Sequence, residues 1–432
     1  MGAALLAAGD PAAVDALRQA LRLCPGQPST LGNLGLALKR QECWAEAAAH
    51  LRPDWPDALY NLAAVLRPLA QCGRAEALLR RVLTLQPDNV PALVNLSNLL
   101  SDTDRLQEAL PFSRHAYTLA PQDVLTQLNH ALQLLADGQF AAGWDIGRDR
   151  WLSRNPRYDL GLPLWDGQRL PEGRVLVWRE QGIGDEVMFA SLLPELLAAG
   201  HRITLLCEPR LKPAFARSMP QLAFHESGDA GSDLRAQVPL CELPRLLRRH
   251  EQDFARAPQP YLQADPRRAA LLRQRYADGR PLIGLAWHTQ NAEASHRSIP
   301  LASFAPLLAE ARLRFVSLQY GDPARLAAEA AGLPLLVDPE IDGLASAEDA
   351  LAQVAAMDSI VSIDNSTVHF AGALGVPCQV LLPIRAEWRW LRGRPDMPGY
   401  RSLRLVRQTP GEAWDSVAAR AAVSLGPCEK NR

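Results

Sequence analysis

The sequence predicts an α-helical repeat solenoid followed by an α/β region made of two doubly wound halves with a cleft between them. In the first third of the chain, asparagines and prolines recur at spacings near 34 residues. From residue 174 onward, short β-rich runs alternate with helical stretches. The chain has 432 residues, of which 48% are hydrophobic and 22% charged, so it can form two to three folded domains at about 150 residues each.

Charge and composition exclude several classes of partner. The 46 Lys and Arg residues nearly balance the 47 Asp and Glu residues, and the formal net charge is −1. No global field therefore favours nucleic acid or an anionic membrane. The first ten residues carry no basic group ahead of a short apolar run, and no stretch approaches the roughly 20 apolar residues that span a bilayer. We expect a cytoplasmic protein without a transmembrane segment.

The first element of the fold is the repeat array. Asparagines that share the same place in successive helical stretches are spaced 28, 34 and 34 residues apart: Asn33, Asn61, Asn95 and Asn129. The prolines at 25, 53, 87 and 121 repeat these intervals. This pattern resembles tetratricopeptide repeats over residues 26–135. The resemblance predicts a helical domain at 1–153, with repeats near 26–53, 54–87, 88–121 and 122–153, of which the first is short in its second helix.

The four repeating asparagines have two interpretations. Stacked helix pairs leave a concave groove, and grooves of this kind bind extended peptides. The amide groups of the asparagines could therefore bind the backbone of a protein partner. They could equally be polar positions between packed helices.

The second part of the fold is predicted from seven β-rich runs: 174–178, 203–207, 282–287, 315–318, 335–337, 360–363 and 379–382. A segment rich in Pro, Arg and Asp between Pro258 and Pro281 precedes a restart of the alternation. This predicts one half at 154–270 and a second half at 271–432. Ligands collect beyond the carboxyl ends of parallel strands, so the loops after these runs are the places to look for chemistry.

Two of these loops stand out. The loop after Trp178 contains Gly182, Gly184 and Asp185, but it lacks the third glycine of the dinucleotide fingerprint, which argues against NAD. Its aspartate could be a helix cap or a functional carboxylate. The loop after Ile363 opens a helix whose first amides, together with hydroxyl side chains, suit a phosphate. The histidine at 369 could belong to that site or to the core.

Several short motifs in one order resemble the tetratricopeptide-repeat glycosyltransferases of bacteria, over nearly the whole chain. Their C-terminal domain is similar to the heptosyltransferases of glycosyltransferase family 9 and has the GT-B fold. The motifs carrying this resemblance span residues 138–144, 150–151, 180–185, 296–301, 316–319, 364–375 and 388–390. The resemblance implies transfer of a sugar from a nucleotide donor held mainly by the C-terminal half, usually with inversion and without a metal.

The resemblance also implies roles for individual residues. Asp185 matches the general base that acts on the acceptor hydroxyl. The residues matching donor-binding motifs are Arg297, Gln319, Asp364, Asn365, Ser366, Thr367, His369 and Gly372. Further candidates are Gly182, Gly184, His288, Arg385 and Trp388. The loop after Trp287 departs from the family pattern, so His288 could replace a phosphate contact or could mark a different donor or weaker activity.

Together these observations predict a glycosyltransferase that uses a nucleotide-sugar co-substrate and no cofactor. The acceptor would be a protein recruited by the repeats, for example flagellin or another surface protein before export. The alternatives are a lipopolysaccharide or glycan transferase of the heptosyltransferase kind, and a non-catalytic repeat scaffold with a relic GT-B domain. The sequence does not distinguish hexosyl, heptosyl and nonulosonyl donors. A D-x-D sequence at 102–104 falls within the repeats, so no metal site is expected.

Overall fold

The computed structural model describes residues 55–67, 71–149, 160–225, 233–290 and 296–423, together with the isolated positions 16 and 19. The chain divides into two compact units, Met1–Gln133 and Leu134–Arg432. The predicted first repeat at 26–53, with Asn33, lies outside the described residues, and so does the predicted boundary at 153.

The first unit contains helices in a regular 34-residue repeat. They are α1 Pro56–Leu66, α2 Cys72–Leu85, α3 Val90–Asp102, α4 Leu106–Leu119 and α5 Val124–Ala136. The first helices of successive pairs begin at 56, 90 and 124, and the second helices α2 and α4 begin at 72 and 106. Pro87 and Pro121 lie in the turns between pairs, where the missing amide donor of proline does no harm. The repeat period predicted from the sequence is therefore confirmed for these helices.

Apolar side chains between the helices hold this unit together. Helix α1 packs on α2, α2 on α3, and α3 on α4. The shared core includes Leu66, Val82 and Leu96, each completely buried. Asn89 caps α3, since its side-chain oxygen accepts a hydrogen bond from the amide of Ala92 at 3.0 Å. Such a cap stabilises a helix by about 1 kcal/mol.

The second unit contains two parallel sheets. The first has four strands, β1 Arg174–Trp178, β2 Ile203–Leu206, β3 Ala223–Phe224 and β4 Leu234–Pro239, in the order β3-β2-β1-β4. The second has six strands, β5 Leu282–Ala286, β6 Arg314–Ser317, β7 Leu335–Leu336, β8 Ser359–Ile363, β9 Cys378–Leu382 and β10 Leu403–Arg407, in the order β10-β9-β8-β5-β6-β7. The prediction of parallel-sheet α/β structure downstream of the repeats is confirmed.

Helices of the second unit connect and flank these strands. They are α6 Phe140–Ile146, α7 Ile183–Ala190, α8 Leu193–Ala198, α9 Lys212–Ser218, α10 Leu243–Leu247, α11 Pro266–Tyr276, α12 Ala305–Leu308, α13 Pro323–Glu329, α14 Ala347–Ala355, α15 Ser366–Leu374 and α16 Trp414–Val423. Within the described ranges, no helix is both long enough and apolar enough to cross a membrane.

The order of the strands determines where a ligand can lie. All seven predicted β-rich runs contain a strand, because each is an apolar segment buried in a parallel sheet. The chain reverses its direction of winding between β1 and β4 in one sheet and between β5 and β8 in the other. At such points the loops leaving neighbouring strands diverge and open a crevice. The loops after β1, β5 and β8 are therefore placed to form a site.

Candidate functional site

A cavity of about 270 Å³ lies beyond the carboxyl ends of strands from both sheets of the second unit. Its walls include residues from the loops that follow β1, β5, β6 and β8: Gly182, Ile183, Gly184, Asp185, Thr289, Gln290, Leu318, Gln319, Tyr320, Asp364, Asn365, Ser366 and Thr367. Arg210, Arg297, His369 and Arg389 also line it. The two loops selected from the sequence thus share one cavity.

Asp185 stands on the wall formed by the first sheet. Helix α7 begins directly after Gly182, and Asp185 lies in its first turn. The carboxylate is partly open to the cavity, with 22% of the side chain exposed, and it forms an ion pair with Arg389. A carboxylate at a helix N-terminus is also favoured by the helix dipole. Its placement combines the two interpretations that the sequence left open, since it lies at the helix start and faces the cavity.

The opposite wall is the start of α15, directly after β8. Asn365 caps this helix: its Oδ1 accepts hydrogen bonds from the amide of Thr367 and the hydroxyl of Ser362, both at 3.1 Å. Asp364 and Thr367 are buried, whereas Ser366 is half-buried. The N-terminus of a nine-residue helix therefore borders the cavity and can favour an anion there.

Gly184 brings the two walls into direct contact. A Cβ on this residue would lie 2.9 Å from Cδ2 of His369 and 3.6 Å from Cα of Ser366. Real Cβ atoms do not approach so closely, so a side chain here would push the loops apart. The glycine loop therefore serves close packing against α15 as well as the turn into α7.

His369 is a neutral, buried side chain. It is only 3% exposed, and its ring lies 6.0 Å from the ring of Trp390 and 5.9 Å from that of Tyr400. Burial lowers the pKa of His369 well below the usual range, and the positive charges of Arg389 and Arg297 lower it further. The imidazole can therefore contribute a neutral hydrogen-bonding group to the cavity, but it does not supply a positive charge for phosphate.

Three arginines line the cavity, and two of them, Arg297 and Arg389, alternate with acids. Arg297 lies 3.2 Å from Asp364 and also pairs with Glu387. Arg389 lies 3.8 Å from Glu387 and pairs with Asp185. Burial raises the pKa of Asp364, although both arginines oppose this shift. For Arg389, the acids Asp185, Glu387 and Asp364 outweigh the opposite effect of burial and raise the pKa of the guanidinium, which keeps it charged.

Gln319 braces the cavity wall. Its Oε1 accepts hydrogen bonds from the amides of Trp287 at 3.0 Å and His288 at 2.8 Å, and its Nε2 donates to the carbonyl of His288 at 3.1 Å. The side chain thereby ties the loop after β6 to the loop after β5. It lines the cavity as the sequence suggested, yet its polar atoms already hold the protein backbone.

Four of the predicted site residues lie outside the lining of the cavity: Gly372, His288, Arg385 and Trp388. A Cβ at Gly372 would lie 2.4 Å from the ring of Tyr400, so packing explains this glycine. Trp388 is in edge contact with Trp144 of α6, with 5.2 Å between ring centroids. His288 is half-buried and Arg385 is exposed.

The repeating asparagines of the first unit differ from one another. Asn129 is hydrogen-bonded inside the array: its Nδ2 donates to Asn98 of α3, and its Oδ1 accepts from Ser97 at 3.1 Å. This favours the interpretation as a polar position between packed helices for Asn129. Asn61 is exposed on α1 and Asn95 is half-buried on α3.

Sequence reasoning named Arg389 only as one of seven arginines that could either help hold an acidic donor or form a solvated face, and it did not select Thr289. The signal for Arg389 was present in the Trp-Arg-Trp motif at 388–390, within a tract of seven arginines between 385 and 407. Of those seven, Arg389 alone lines the cavity. Others bind groups of the protein itself: Arg394 pairs with Asp396, and Arg407 donates a hydrogen bond to a backbone carbonyl at 3.1 Å.

The described residues contain no group of three or more His, Cys, Asp or Glu side chains placed to hold a metal ion.

The fold and the cavity define a protein in which tetratricopeptide-type helical repeats precede a parallel-sheet α/β unit. Comparison with known families agrees for the repeats, since a tetratricopeptide repeat model matches residues 90–123. Protein FlbA of Caulobacter vibrioides is 31% identical over 332 residues, which make up 70% of this chain and 55% of FlbA. The chain thus spans about half the length of this curated relative.

Solved structures of low similarity cover about a third of the chain. One is MamA, with 16% identity, a TM-score of 0.32, and coverage of 35% of this chain and 93% of that one. Another is a tetratricopeptide repeat protein of Parabacteroides merdae, with 20% identity, a TM-score of 0.31, and coverage of 35% and 63%.

Proposed function

We propose that this protein is a metal-independent, inverting glycosyltransferase of the GT-B type, which moves a sugar from a nucleotide-sugar donor to a protein acceptor recruited by the helical repeats. The observation that carries the proposal is the shared cavity. Asp185 on one wall faces the N-terminus of α15 on the other, and three arginines line the space between two parallel sheets. The resemblance of the motifs to glycosyltransferases assigns the chemistry to this geometry.

The reaction needs a general base and a binding site for the phosphate of the leaving group. The acceptor hydroxyl attacks the anomeric carbon, its proton passes to Asp185, and the bond between that carbon and the nucleotide phosphate breaks. The departing phosphate gathers negative charge. Arg297, Arg389 and the N-terminus of α15 line the cavity and can meet that charge.

A protein acceptor is favoured by the array. Helix pairs stacked with a 34-residue period form a surface that serves other repeat proteins in protein recognition. Among the described asparagines, Asn61 is exposed and can meet such a partner directly. The 31% identity to FlbA extends over 332 residues and thus beyond the repeats alone.

The first test is replacement of Asp185 by Asn, which keeps the shape and removes the basic oxygen. We expect sugar transfer to fall by about 10²–10⁴-fold, the usual contribution of a general base. Asp342→Asn is the matched control, because this acid accepts a hydrogen bond from the amide of Leu344 that asparagine preserves. Transfer near the wild-type rate in folded Asp185→Asn would refute the assignment of the base.

The donor and the acceptor are identified in the same system. A panel of nucleotide sugars is screened for thermal stabilisation, since a ligand at 100 times its dissociation constant adds about 2.7 kcal/mol to the folded state. Mass spectrometry of candidate proteins and glycolipids then locates the transferred sugar. A modified glycolipid would favour the heptosyltransferase alternative, and absence of nucleotide binding would favour the scaffold.

A further inference from the structure

The proposed base already has a partner. Arg389 forms an ion pair with Asp185, although the two residues are 204 positions apart in the chain. Only 9% of the Arg389 side chain is exposed, and the residue lines the cavity. The guanidinium occupies Oδ1 of Asp185, so one of the two carboxylate oxygens that could take the acceptor proton is already engaged.

The surroundings of Arg389 hold the guanidinium in place independently of Asp185. Its carbon Cζ lies 5.6 Å above the ring of Trp388, and that ring packs edge-on against Trp144. The carboxylate of Glu387 lies 3.8 Å from the guanidinium. When Asp185 is not bound, the cation therefore remains at the cavity wall on an aromatic and acidic support.

We propose that Arg389 is shared in alternation between Asp185 and the phosphate of the nucleotide donor, so that donor binding releases the base. This inference rests on the proposed function and concerns the order in which the site is filled. Phosphate offers several oxygens in the geometry that a guanidinium binds bidentately. The ligand class is a nucleoside phosphate or its sugar ester, and its phosphate competes with the Asp185 carboxylate for one cation.

The consequence is a change of affinity that a simple base would not produce. Asp185→Asn removes the competitor, so it should tighten nucleotide binding by about tenfold, even though it abolishes the base. Arg389→Gln should weaken binding and should also erase the effect of Asp185→Asn. Arg389→Lys keeps the charge and should retain part of both effects, which separates the loss of the cation from unfolding of its buried surroundings.

The experiment is a double-mutant cycle on the full chain. Dissociation constants of UDP, GDP, ADP and CMP, each alone, are measured by calorimetry for wild type, Asp185→Asn, Arg389→Gln, the double variant and Arg389→Lys. Asp342→Asn is the charge control, because it removes a carboxylate next to the lining residue Gly343. This variant should leave the dissociation constants unchanged. Melting temperatures are recorded to confirm that each variant is folded.

The outcomes separate the two proposals. Tightening by Asp185→Asn that disappears in the Arg389→Gln background supports the shared cation. The shared-cation proposal is overturned if Asp185→Asn leaves nucleotide binding unchanged or weakens it. It is also overturned if the tightening persists in the Arg389→Gln background. Neither of these two results contradicts the transferase proposal. Absence of binding by any of the four nucleotides to wild type overturns both.

Discussion

Replacement of Gly184 by alanine tests whether close contact between α7 and α15 builds the cavity. The added Cβ would lie 2.9 Å from Cδ2 of His369 and 3.6 Å from its Nε2. His369 has little room to yield, because it is 3% exposed and lies beside Trp390 and Tyr400. The contact is therefore relieved by separation of the two loops rather than by movement of one ring.

The magnitude follows from two opposing effects. Forcing one extra carbon into a packed interior costs about 1–3 kcal/mol. Alanine in place of glycine inside a helix favours folding by up to about 1 kcal/mol, and Gly184 has no positive φ to oppose the change. The net loss is about 1–2 kcal/mol, which lowers the melting temperature of the second unit by about 2–3 °C.

The assay combines calorimetric unfolding with nucleotide titration. Gly73→Ala in α2 is the control, since no heavy atom lies within 4 Å of its added Cβ and helix propensity alone should raise stability. We expect the two variants to shift melting in opposite directions, and Gly184→Ala alone to weaken nucleotide binding. A Gly184→Ala variant as stable as wild type, with unaltered binding, would refute the close-contact reasoning.

Two further predictions concern ionisation and the array. Burial raises the pKa of Glu186 to about 7, so the folded state holds a proton that the unfolded state has released above about pH 4.5. Stability should therefore fall as the pH rises from about 4.5 to 7, and Glu186→Gln should flatten that fall in a melting series at several pH values. An unchanged slope would contradict the assignment. Asn129→Ala should lower the stability of the first unit by about 1 kcal/mol because it breaks the bonds to Ser97 and Asn98. Asn61→Ala should leave the free energy of unfolding in denaturant unchanged, because Asn61 is exposed. Equal losses of stability in the two variants would contradict the different roles given to Asn61 and Asn129.

Much of the fold was predictable because local pattern and final environment agree. The 34-residue period predicted the helix starts of the array, since each repeat buries the same apolar positions. Strands β1, β5 and β8 are mostly apolar and almost wholly buried, as expected in sheets covered on both faces. Strands β3, β4 and β10 were not predicted: β3 has two residues, and β4 and β10 carry arginines that interrupt the apolar pattern.

The candidate site was predictable only in part. Asp185 lies in the first turn of the helix after β1, and the segment 364–369 follows β8 directly, so the parallel topology alone brings them to one edge. Arg389 lies in an irregular segment between β9 and β10, and nothing in that segment specifies a partner 204 residues away. Its position depends on packing of Trp388 against Trp144, a contact between distant parts of the chain.

The amino-acid sequence by itself determined the period of the helices, the places where buried strands end and the kinds of side chain available there, because these follow from local hydrophobic pattern and backbone chemistry. Only the tertiary structure decided which groups carry charge and which are already engaged. Burial leaves His369 neutral, Arg389 takes the carboxylate of Asp185, and Gln319 holds backbone amides. Solvent exclusion and contacts between distant segments determine these charges and hydrogen bonds, and neither can be predicted from the residues adjacent in the sequence.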